Sequence, residues 1–124
     1  MAEGLTAFLQ RTWERPFVWG ESDCTLWVAD WCKARWGMDP AGAFRGRYST
    51  QAEAERLTAR GLAATVRPYM AFASEKEAAD EGDVGVVIVD GKETSAIRAG
   101  GQWLIKTPLG VGAHDFLAVA IWGD

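Results

Sequence analysis

Apolar side chains recur at helical spacing through the first half of the chain and as short continuous runs through the second, so the period changes near Gly82. Leu5, Phe8, Leu9 and Trp13 share one face of a short amphipathic helix. Pro16 ends that stretch, because it pushes its predecessor out of helical geometry. From Cys24 to about Trp36 the residues Leu26, Trp27, Val28, Ala29, Trp31, Cys32, Ala34 and Trp36 are apolar nearly all round, the pattern of a helix buried on most sides. Asp23 is its expected N-cap and Gly37 its stop, with Pro40 blocking a restart. Thr50-Gln51-Ala52-Glu53 reads as a capping box opening a third helix, closed by Gly61 near Arg60. Leu62 to Met70 is expected to form a shorter fourth helix, and Ser74 to Gly82 a charged, exposed stretch.

Beyond Gly82 the pattern is that of strands. Val84 to Val89 is β-branched and continuous, as in a strand buried on both faces. Asp90-Gly91 predicts a hairpin into Thr94–Ala99, Gly100-Gly101 leads to Trp103–Thr107, and Phe116 to Trp122 is the last buried strand. Helices first and an antiparallel meander afterwards define an α+β fold with a four-stranded antiparallel sheet. Neither linker nor internal repeat divides the 124 residues, so one domain spans 1–124.

Composition narrows the function. With 48% hydrophobic and 24% charged residues the chain is no disordered segment. The net charge of −4 and scattered Lys and Arg give no basic surface for nucleic acid. No run approaches the roughly 18 apolar residues of a membrane span. The acidic start, Met1-Ala2-Glu3, is unlike a secretory signal, which places synthesis in a cytoplasm. Cys24 and Cys32 lie eight residues apart in one helix, about 12 Å by helical rise and beyond the roughly 7 Å reach of a disulfide. One histidine and two cysteines cannot close a tetrahedral zinc site, so no metal or cofactor is expected.

The stretch Trp19-Gly20-Glu21-Ser22-Asp23-Cys24 carries the chemistry. It sets a thiol at the first turn of a buried helix, where positive potential and unpaired N–H groups favour a thiolate and could hold an oxyanion. Asp23 works against this, since a neighbouring carboxylate disfavours a second negative charge. The plain alternative is a small residue tolerated at a helix start. Cys32 reads as core packing, and Asp83 as a turn residue before a strand in preference to a site residue. Arg45 and Arg47 read as solvated loop charges. Most of the seven tryptophans belong to the core; Trp19, in the approach to Cys24, is placed to wall a cleft or a docking surface.

Gly20-x-x-Asp23-Cys24 and Gly82-Asp83-Val84-Gly85-Val86-Val87 resemble the NlpC-type cell-wall peptidases. A phage and prophage branch of that group is more similar still. It shares Arg15-Pro16-Phe17-x-Trp19-Gly20, Asp23-Cys24, Ala29-Asp30-Trp31, Phe44-Arg45-Gly46-Arg47-Tyr48, Gly82-Asp83-Val84 and a final strand with a tryptophan, here Trp122. The resemblance covers essentially the whole chain and implies a papain-like fold with Cys24 at the nucleophile position. Genes of that branch lie among tail genes. This implies a tail-tip protein made in the bacterial host cytoplasm and carried in the virion tail, with other tail-tip proteins as partners. The chain departs from the active enzymes where a histidine should open the second strand: aligning Thr94-Ser95-Ala96-Ile97 with that strand puts Thr94, or a neighbour, there, and a hydroxyl is no general base near neutral pH. The one histidine, His114, is expected in the loop before the last strand. Two functions follow from the resemblance. One is a structural protein on a peptidase fold with an incomplete dyad. The alternative is a cysteine amidase cutting peptidoglycan crosslinks, with Cys24 attacking and His114 taking the proton.

Overall fold

In a computed structural model, residues 3–124 are described; Met1 and Ala2, part of the acidic start discussed above, lie outside them. Four helices come first: α1 (Leu5–Thr12), α2 (Cys24–Trp36), α3 (Gln51–Leu57) and α4 (Leu62–Val66), the last continued by a 3-10 turn at Arg67–Tyr69. Six strands follow: β1 (Ser74–Lys76), β2 (Val84–Val89), β3 (Lys92–Ala99), β4 (Gln102–Thr107), β5 (Gly110–His114) and β6 (Ala118–Gly123). They form one antiparallel sheet in the order β1-β6-β2-β3-β4-β5.

The central helix starts and stops as its sequence dictates. Asp23 is extended and its carboxylate accepts from the N–H groups of Thr25 and Leu26, while Gly37 at φ 73° donates to the Lys33 carbonyl. Trp27 is fully buried and its indole N–H donates to Thr12 Oγ1 at 2.9 Å, which fastens α1 to α2. Trp31 donates to the Gly82 carbonyl at 2.7 Å, and Thr25 Oγ1 lies 3.0 Å from Ser95 Oγ of β3. The helix thus runs along the sheet, its Cys24 end level with Ser95 and its Arg35 end level with Gly82 and Asp83.

The two faces of the sheet separate by alternation. Val84, Val86, Ile97, Leu104, Ala120 and Trp122 pack with Phe8, Trp27 and Trp31 of the helices. Val87, Ala96, Trp103, Ile105 and Ile121 form a second cluster on the other face. Gly85 is needed there, because a Cβ would lie 2.9 Å from both the Ala120 carbonyl and the Trp103 ring.

The structure corrects several sequence expectations. The sheet has six strands, not four. The Ser74–Gly82 stretch supplies β1, which survives at the edge because Glu75 and Lys76 are held by Arg67 and by Asp80 and Asp83. His114, expected in the loop before the last strand, instead ends a strand, since residues 110–114 pair with β4 as β5. The third helix ends at Leu57, and Gly61 opens α4 instead of closing α3. Asp83 is more than a turn residue. It is buried and accepts from Lys76 Nζ at 2.6 Å, from the Asp80 N–H at 2.8 Å and from Arg35 at 3.4 Å.

Asp83 therefore joins β1, the 77–82 loop and α2 through one carboxylate. Asp83→Ala leaves two cations without their shared anion, and we expect a loss of about 3 kcal/mol, measured by urea denaturation. A loss below about 0.5 kcal/mol, the scatter of neutral surface changes, would show that the three elements hold without it.

Candidate functional site at the head of the central helix

The site is built around the Asp23 carboxylate, which is 1% exposed. Besides capping α2 with Oδ1, it accepts with Oδ2 from the Gly20 N–H at 2.9 Å and from the Tyr48 hydroxyl. Gly20 sits at φ +80°, and a Cβ there would run into the Tyr48 carbonyl. The Gly46 N–H in turn donates to the Gly20 carbonyl at 3.0 Å. Two loops, 13–23 and 39–48, are thereby closed onto the head of the helix.

Arg45 reinforces this closure. It is no solvated charge: it binds Asp30 of α2 and Asp39, each at 2.8 Å, while Arg15 binds the other Asp30 oxygen at 2.9 Å. Arg47 is exposed, as expected.

Cys24 opens into a cleft of about 500 Å³ between the head of α2, the α3–α4 pair and the start of β3. Trp19, Tyr48, Glu93 and Thr94 are among the residues that line it. The Trp19 ring stands edge-on to Phe17 with centroids 4.8 Å apart. Glu93 does local work too, since its carboxylate accepts from the Ala63 N–H at 3.0 Å and caps α4, whose own N-cap Gly61 has no side chain to do so.

The half-buried Cys24 has its thiol pushed up to about 11, first by burial and then by the Asp23 carboxylate. These two effects outweigh the helix N-terminus expected to lower it. Its nearest hydroxyl, Thr25 Oγ1, is 3.9 Å away. Cys32 is buried in the core and pushed up to about 12 by that burial, in keeping with a packing role.

The structure does not bring His114 to Cys24. His114 is the last residue of β5 and pairs with Trp103, whose ring belongs to the face turned away from α2. Its exposed imidazole stands edge-on to Phe116 at 5.2 Å. Trp103 pairs with Arg98, which bonds Asp83, so His114 is also level with the wrong end of the helix. Thr94 does border the cleft, but it pairs with Val87, and its hydroxyl turns back to the Lys92 carbonyl at 3.4 Å. Ser95, one residue on, is the side chain that reaches α2.

Sequence reasoning missed four contributors: Tyr48, Glu93, Ser95 and Lys106. Starting β3 at Lys92 would have aimed Glu93, Ser95 and Ile97 at the helices together. Lys106 shares the helix-facing side of β4 with Leu104. It is 3% exposed, and its Nζ is, among the described residues, the one buried side-chain polar atom without a hydrogen-bond partner. Burial holds its ammonium below the usual lysine range; Arg15 adds to this, and Asp30 and Asp23 oppose it.

These features define a class: an α+β domain with a protonated thiol in a cleft at the head of its buried helix. The chain belongs to the DUF6950 family, a domain of unknown function, which it matches over residues 1–123. No curated protein and no solved structure matches it. Among the described residues no helix is long and apolar enough to cross a membrane.

Two outcomes follow. Asp23→Ala removes the cap and the seat of Tyr48 together, so stability should fall by at least about 2 kcal/mol in chemical denaturation. The Cys24 thiol should meanwhile titrate lower than in the native protein, as followed by alkylation against pH. The Lys106 ammonium is disfavoured in the folded chain, so between its lowered folded value and about 10.4 the unfolded chain binds more protons and stability rises with pH. Lys106→Met should therefore be more stable than the native protein near pH 7 by about 1–3 kcal/mol, with the gap closing as the pH approaches that upper limit.

Proposed function

We propose that the domain is a phage tail-tip structural protein built on an NlpC-type, papain-like peptidase fold whose catalytic dyad is incomplete. One observation carries the reading: the thiol at the nucleophile position has no imidazole on its side of the sheet and is held protonated. A cleft that keeps its shape without a working nucleophile serves as a place for a partner to dock, with Trp19 as an aromatic wall. The protein would be made in the host cytoplasm and occupy the virion tail against other tail-tip subunits.

The open cleft before Cys24 favours a second reading, a cysteine amidase acting on peptidoglycan peptides. There the thiolate would attack the carbonyl and the N–H groups at the head of α2 would hold the oxyanion. Incubating purified protein with peptidoglycan separates the two. The structural reading expects no peptide release, and labelled antibody on purified virions at the tail tip. Peptide release by the native protein, abolished in Cys24→Ala, would overturn it.

A further inference from the structure

We propose that α3, with the short loops on either side of it (residues 49–60), is a hinged lid over the Cys24 cleft, latched to the sheet by the ion pair of Glu55 with Lys92. The inference concerns entry to the cleft and stands apart from the tail assignment, which virion labelling decides separately.

The segment covers the cleft without being held by the core. Gln51, Ala54, Glu55, Leu57 and Thr58 line the space into which Cys24 opens. Yet none of residues 49–60 is buried, and none belongs to a hydrophobic cluster. Leu57, the largest apolar side chain of α3, is 42% exposed. Helices in folded proteins draw most of their stability from an apolar face packed on a neighbour, and α3 has no such face.

Its hydrogen bonds are turned inward on itself. The Glu53 N–H donates to Thr50 Oγ1 at 3.2 Å, and the Glu53 carboxylate accepts from the Ser49 N–H at 2.9 Å. Gln51 donates to Glu55 at 3.0 Å, and the Thr58 hydroxyl donates to the Ala54 carbonyl at 3.1 Å. The helix can therefore swing as one body with its cap intact. Among the described residues, the one polar contact from 49–60 to a residue beyond its hinges is Lys92 Nζ to Glu55 Oε1, at 3.3 Å and largely exposed. A pair in that setting holds weakly. It is a latch.

The frame on either side of the lid is fixed. Tyr48 is bound to Asp23 before it, and after it Leu62 and Ala63 are buried, with the Ala63 N–H held by Glu93. Gly61 stands between the lid and that second anchor at φ +102°. A glycine accepts backbone rotation at least cost, so the swing falls there.

Cys24 is the reporter for the test. Its rate of alkylation by a bulky neutral maleimide is divided by its rate with iodoacetamide at the same pH, each located by tandem mass spectrometry. The quotient cancels the ionisation of the thiol, which both reagents need, and leaves access to the cleft. Lys92→Glu and Glu55→Lys each replace attraction by repulsion, and each should raise the quotient about threefold. The double exchange, Lys92→Glu with Glu55→Lys, should return it to the native value. An unchanged quotient in both single variants overturns the proposal. So does a rise in only one of them, because Glu55 also serves Gln51 within α3. A quotient that stays raised in the double variant overturns it as well, since pairing of the two charges is then not what holds α3 down.

Discussion

A single buried carboxylate organises this molecule. Asp23 ends the approach loop, begins the central helix and receives the hydroxyl of Tyr48, 25 residues further on, so three segments meet on two oxygens. Burying an anion is costly unless its lone pairs are filled, and here four donors fill them. The same charge lies next to the thiol and opposes its ionisation. The interaction that shapes the cleft is thus also one that quiets the sulfur inside it.

The helical half of the fold was largely legible in the sequence. Asp23, Gly37 and the apolar wrap of residues 26–36 specify α2 from both ends, and the structure places it accordingly. Asp90-Gly91 gives the β2–β3 hairpin for the same local reason, since both residues take positive φ. The edge strands were not legible. Ser-Glu-Lys and Gly-Val-Gly-Ala-His carry no apolar alternation, and only pairing with β6 and β4 makes them strands.

The site was legible where it is local and obscure where it is not. Cys24 at the first turn and Trp19 beside it follow from the order of residues along one stretch of chain. His114 was misplaced because strand alternation decides which face it joins, and its strand was hidden. Lys106 and Ser95 escaped because nothing near them in sequence points to α2; only the stacking of helix on sheet does. Arg45 looked like a surface charge for the same reason, its carboxylate partner Asp30 lying fifteen residues away.

The Glu93 carboxylate ties the two walls of the cleft together, because the strand on one side supplies the cap for the short helix on the other. Its grip fixes the width of the groove: prising α4 outward to admit a bulkier occupant strips the Ala63 amide of its acceptor. The separation of strand and helix is therefore held by energy as well as by shape, since any widening forfeits that hydrogen bond and leaves a backbone donor to be satisfied elsewhere.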